Sequence, residues 1–152
     1  MVRAALLALS LALPLAAPAA KLYPDPARAG ADIAAAVQQA RHQGKRVLID
    51  FGGDWCTDCK VLDVNLRRPE NAALVAERFV MVHVNVGERG IDTNFDVAKR
   101  YGIPLEKGVP ALAVLDSNGR VVYAQKAGEF ENMRAMDPAS VHDFLVRWQA
   151  SP

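Results

Sequence analysis

The chain has 152 residues, 51% of them hydrophobic and 23% charged, with 18 basic against 17 acidic side chains and a formal net charge of +1. That apolar content suits one domain with an ordinary core, and the near-balance of charge is neither that of a disordered chain nor the basic footprint of a nucleic-acid binder. Cys56 and Cys59, the chain's two cysteines, are too few for a disulfide-stapled scaffold.

Residues 1–19 have the make-up of a secretory leader: Arg3 gives the positive start, Ala4 to Leu13 the apolar middle, and Ala17-Pro18-Ala19 a small-residue cleavage site. Cleavage is expected after Ala19. The apolar stretch is shorter than the roughly 20 residues a spanning helix needs, and no cysteine follows it for lipidation. Losing Arg3 would leave 17 basic and 17 acidic residues, a mature chain of no net charge.

Residues 20–31, with Pro24 and Pro26, read as an extended lead-in, and the domain is expected over residues 32–150. Asp32 is placed to cap a helix from Ile33 to about Gln43, closed by Gly44. Val47-Leu48-Ile49-Asp50-Phe51 is the apolar, β-branched run of a strand buried on both faces, ended by Gly52-Gly53. From Cys56 a helix is predicted through Val61, Leu62 and Leu66, stopping near Pro69 and restarting around Asn71. A strand from Phe79 to Val86, a polar loop and a short helix from Phe95 to Tyr101 follow, with Gly102 as a left-handed cap. Strand-helix-strand order implies parallel pairing. Ala111 to Leu115 and Arg120 to Gln125 flank Ser117-Asn118-Gly119, the signature of an antiparallel hairpin. Asp137-Pro138 opens a last helix carrying Val141, Phe144, Leu145 and Trp148 on one face. The fold class is α/β, a central mixed sheet flanked by helices.

Trp55-Cys56-Thr57-Asp58-Cys59-Lys60 places both cysteines at the start of a helix, directly after a strand. There the unpaired backbone N–H groups and the helix dipole stabilise the thiolate of Cys56, and Cys59 lies one turn on, where it can resolve a mixed disulfide. A staple closing so short a loop would constrain the unfolded chain little. Half a zinc site or a copper-binding pair shares the spacing, but a structural zinc site needs four ligands, and His42, His83 and His142 have no paired spacing. Asp50 sits in an otherwise apolar strand, where an ionised carboxylate is costly to bury, so it either caps backbone groups or does chemistry.

Asp50-Phe51, the Trp55–Lys60 motif, Tyr101-Gly102-Ile103 and Gly108-Val109-Pro110 occur in the order used by the thioredoxin family, which the chain resembles from about Ile33 to Trp148. Asp54-Trp55-Cys56 and the spacing from Cys59 to Asp63 are most similar to the C-terminal domain of the membrane reductant transporter DsbD and its small exported relatives. The resemblance implies a thioredoxin-like fold, with Pro110 following a cis peptide bond and the Val109 backbone free to pair with a substrate strand. It makes Asp50 the buried acid that takes the proton of Cys59. Asp63 is a second acid able to tune that proton. His83 falls where many relatives hold a buried lysine, and it reads as a sheet histidine with a secondary role in tuning Asp50. Trp55 shields the cysteines at the rim, and Gly128 belongs to a loop beside the cis-proline that helps choose partners.

Thr57-Asp58 departs from the Gly-Pro pair common in thioredoxins. A negative Asp58 beside Cys56 would disfavour its thiolate, which points to a reductant rather than a strong oxidant. The expected activity is reduction of protein disulfides by an exported, periplasmic oxidoreductase acting as a monomer. It would need no cofactor and no metal, bind no nucleic acid, and draw electrons from a membrane donor resembling DsbD. The alternatives are a copper- or metal-delivery module using the same two sulfurs, and a disulfide oxidase or isomerase of the same fold.

Overall fold

The computed structural model describes residues 21–150, so the leader read over residues 1–19 lies outside the described residues. At its centre is strand β1 (Arg46–Gly52), buried from Val47 onward, as a continuous apolar run predicts for a strand covered on both faces. β1 pairs in parallel with β2 (Phe79–Asn85) and antiparallel with β3 (Ala111–Leu115). A hairpin joins β3 to β4 (Val121–Ala124), so the mixed sheet has the order β2-β1-β3-β4. The hairpin turn is held by Asp116, whose Oδ1 accepts the N–H groups of Asn118 and Arg120. Gly119 there takes a φ of +83°, a conformation that glycine enters without steric cost.

Helices cover both faces. On one, α1 (Ala29–Gln43) and α4 (Phe95–Arg100) pack Ile33, Ala36, Ala40, Val97 and Ala98 against Val47, Ile49 and Phe51 of β1. On the other, α2 (Thr57–Leu66) and α5 (Ala139–Trp148) pack Leu62, Leu66, Val141, Phe144 and Leu145 against Leu48, Leu112 and Val114. The two-residue period of β1 puts Asp50 in step with Leu48, towards α2. Helix α3 (Pro69–Arg78) follows α2 directly, with Pro69 in its first turn. Proline needs no N–H there, so the second helix begins at the residue expected to break the first. Among the described residues no helix is long and apolar enough to cross a membrane.

The lead-in differs from the extended segment expected over residues 20–31. Asp25 accepts the N–H of Ala27 at 2.8 Å and caps a 3₁₀ turn, Pro26–Arg28, that runs straight into α1 at Ala29. Asp32 therefore sits inside the helix, where it pairs with Arg28 at 2.8 Å instead of capping. The segment is stitched to the domain: Leu22 N–H donates to Asp54 at 2.9 Å, and the Asn85 and Asn94 amides donate to the Pro24 and Pro26 carbonyls, each at 3.0 Å. Tyr23 is fully enclosed as a result.

Candidate active site

β1 ends at Gly52, and the chain turns so that Cys56 N–H donates to the Gly53 carbonyl at 3.0 Å and Cys56 becomes the N-cap of α2. Cys56 and Cys59 are joined in a disulfide with their Cα atoms 5.3 Å apart. The Cys59 N–H points at Cys56 Sγ, 3.1 Å away, one of the helix-start donors with no carbonyl partner within the helix. Cys56 is 6% exposed and Cys59 is fully enclosed. An incoming sulfur can therefore reach the first cysteine from outside, and the second only through the first.

Beneath them lies Asp50, 1% exposed. Its Oδ2 accepts the Tyr23 hydroxyl at 2.6 Å and lies 3.0 Å from His83 Nδ1. Tyr23 and His83 also meet edge to face, with ring centroids 5.3 Å apart. Among the described residues Asp50 Oδ1 has no hydrogen-bond partner, so it is the free oxygen of the carboxyl group. Gly52 shows how close this assembly comes to the cysteines, because a Cβ there would lie 2.7 Å from Tyr23 Cζ and 2.8 Å from Cys59 Sγ. Burial first, then the charge and hydrogen bond of Asp50, push the Tyr23 phenol far above its ordinary value, so it stays a donor. Asp63 binds Arg67 at 2.9 Å and reaches this assembly only as one of the charges felt by Tyr23. His83 is partly exposed and lines a cleft of about 270 Å³ with Arg28, Asp32 and Gln39.

The second wall is the loop into β3. Its Val109-Pro110 bond is cis, and the Val109 carbonyl oxygen lies 3.6 Å from Cys56 Sγ. Gln125, fully enclosed, braces this loop: its Nε2 donates to the Pro110 carbonyl and its Oε1 accepts the Leu112 N–H, both at 3.2 Å. Gly128 packs against the Lys107 carbonyl at a φ of +74°. Trp55 donates its indole N–H to the Gly87 carbonyl at 2.8 Å and stands 37% exposed at the rim. Ahead of this loop, Pro104 leads into a 3₁₀ turn, Leu105–Lys107, anchored by the buried Leu105.

Asp58 is not the free negative charge its position suggested. Arg134 holds it through three bonds, from its backbone N–H at 3.0 Å, Nε at 3.2 Å and Nη2 at 3.1 Å. Burial pushes the carboxyl up, but the Arg134 side-chain and backbone bonds outweigh it and leave Asp58 below the ordinary carboxylate value. Its charge is compensated, which removes the reason for reading a reductant from that residue. Tyr23, Gln125 and Arg134 were not picked out from the sequence, since nothing local in it links them to the cysteine motif.

A nearly covered cysteine bonded to a fully enclosed one at a helix start, close to a buried acid, defines a thiol–disulfide oxidoreductase. The sequence comparisons agree. The profile for thioredoxin-like domains matches residues 28–117, and the chain belongs to the thioredoxin-like family. Thioredoxin of Buchnera aphidicola subsp. Schizaphis graminum is 32% identical over 91 residues, which cover 60% of this chain and 73% of that protein. The thiol:disulfide interchange protein DsbD of Pseudomonas fluorescens is 24% identical over 118 residues, 78% of this chain but only 18% of that protein. Among solved structures, a disulphide isomerase from Xylella fastidiosa Temecula1 superposes with a TM-score of 0.79 at 35% identity, covering 86% of this chain and 98% of that one. A thioredoxin from Thermus thermophilus, at 23% identity and a TM-score of 0.54, shares the fold.

Proposed function

We propose that the chain is exported to an oxidising compartment such as the bacterial periplasm and there reduces protein disulfides. The observation that carries the redox reading is the Cys56–Cys59 disulfide at the start of α2, with Tyr23, the hydrogen-bond partner of buried Asp50, meeting Cys59 across Gly52. In the reducing direction the Cys56 thiolate attacks a client disulfide: the client S–S bond breaks, a Cys56–client bond forms, and one client thiolate leaves. Cys59 then gives its proton to Asp50 Oδ1 and attacks Cys56 Sγ. The Cys56–Cys59 bond forms, the second client thiolate leaves, and two electrons have passed to the client. Val109 and Pro110 align the client backbone beside Cys56, and Trp55 and Gly128 bound the groove. His83 and Tyr23 hold Asp50 in place, with Asp63 acting at longer range.

Likeness to thioredoxins and to DsbD supports the reducing direction, with a DsbD-like membrane donor of dithiol electrons as partner. Likeness to a disulphide isomerase favours a second reading, the shuffling of wrong disulfides by the same two sulfurs. Insulin reduction with dithiothreitol as electron source tests the first. Turnover should vanish in Cys56→Ser, and turnover equal to that of the unsubstituted protein would eliminate Cys56 as nucleophile. Regain of activity by scrambled ribonuclease, with little insulin reduction, would select the second.

A further inference from the structure

The loop between β4 and α5 touches both walls of the groove. At one end, Gly128 lies against the Lys107 carbonyl, where a Cβ would come within 2.6 Å, and the Glu131 side chain lies over Gly108. In its middle, Phe130 and Met133 are buried with Leu62 and Leu66 of α2. At the other end, Arg134 grips Asp58, one of the two residues between the cysteines, with its backbone and its guanidinium together.

Resting on the thiol–disulfide reading, we propose that Arg134 is a positioning residue for the nucleophile: by pairing with Asp58 it cancels a negative charge beside Cys56 and pins the groove lip to the active-site helix. The other charged groups around Cys56 have their own arrangements. Asp54 accepts the Leu22 N–H, Asp50 holds Tyr23 and His83, and Asp63 binds Arg67. Lys60 on α2, Lys107 in the turn before β3 and Glu131 on the lip are exposed. Of the carboxylates on α2, Asp58 takes its partner from the lip. The Arg134 side chain is 64% exposed, so a client carboxylate or added salt can compete for it without unfolding the domain. With the pair open, the charge of Asp58, two residues from Cys56 at the start of α2, is uncompensated. The thiolate is then disfavoured, the reduced form loses stabilisation, and the site becomes more reducing.

The test is titration of the Cys56 thiolate by its ultraviolet absorbance, in a Cys59→Ala background so that one thiol titrates. Arg134→Ala should lower the thiolate fraction at neutral pH by roughly three- to tenfold. Asp58→Asn, which leaves Arg134 positive and unpaired, should raise it. The double variant should return close to the starting value, and Arg134→Lys should fall between the parent and Arg134→Ala. A loop that merely braces the helix would shift both single variants the same way, and that result, or an unchanged titration, would overturn the proposal. If Arg134→Ala does not fold, the opposite shifts of Arg134→Lys and Asp58→Asn decide it. Insulin reduction by the unsubstituted protein is scored separately, so failure of the redox reading is distinct from failure of the Arg134 assignment.

Discussion

Tyr23→Phe deletes one oxygen from the interior and leaves the ring in place. In the folded protein that oxygen makes a 2.6 Å bond to Asp50, and both residues are almost wholly shut off from water. Removing one partner of a buried pair costs the desolvation of the group left behind, about 1–3 kcal/mol. Asp50 keeps His83 at 3.0 Å, so the loss belongs in the middle of that range, about 2 kcal/mol. At roughly 3 °C per kcal/mol for a domain of this size, Tm should fall by about 6 °C. Urea unfolding of the oxidised protein at pH 7 measures it, and the midpoint should drop with an unchanged m value. In an Asp50→Leu background the hydroxyl has lost its acceptor, so the same substitution should cost nothing. A Tyr23→Phe protein within about 0.5 kcal/mol of the parent, or an equal loss in both backgrounds, would refute the view that Tyr23 holds Asp50 in place.

Three further outcomes follow from the same geometry. Gly52→Ala drives a Cβ against Tyr23 and Cys59, so urea unfolding should show a loss of about 1–3 kcal/mol, with slower insulin reduction. Asp58, held below the ordinary carboxylate value, contributes stability that is present above its unfolded pKa near 3.9 and is lost as the pH falls through its lower folded value. Asp58→Asn should therefore be less stable than the parent by about 1 kcal/mol at pH 7, in unfolding followed against pH, and the gap should close in acid. Tyr123, packed against Phe144 and Trp148, is pushed up to about 12 by burial and then by the charge of Glu129. Its contribution is present below pH 10 and is lost between 10 and 12, so Tyr123→Phe should flatten the alkaline fall in stability.

Local chemistry carried much of the fold into plain view. The unbroken apolar run at residues 47–51 marked the central strand, Asn118-Gly119 marked the hairpin, and Gly44 and Gly102 marked helix ends, because in each the deciding interaction lies within a few residues. Those helix-end glycines take φ values of +66° and +76°. The site was legible as far as the cysteines, Asp50 and Val109-Pro110, which the motif and its order in the chain bring together. What stayed hidden depends on partners far away in sequence. Tyr23 meets Asp50 across 27 residues and Arg134 meets Asp58 across 76. The charge of Asp58, read by itself, therefore gave the wrong electrostatics for the nucleophile. The start of α1 was misplaced for a related reason: Asp25 and Pro26 build a 3₁₀ turn ahead of it, which the lead-in's two prolines disguised as extended chain.

The division of labour between the two sulfurs is tested most directly by trapping. Reduced Cys59→Ala protein, mixed with a disulfide-bonded client, should form a one-to-one covalent adduct whose only new bond maps by mass spectrometry to Cys56 and which dithiothreitol releases. Failure of any adduct to form under conditions where the unsubstituted protein reduces the same client would contradict it.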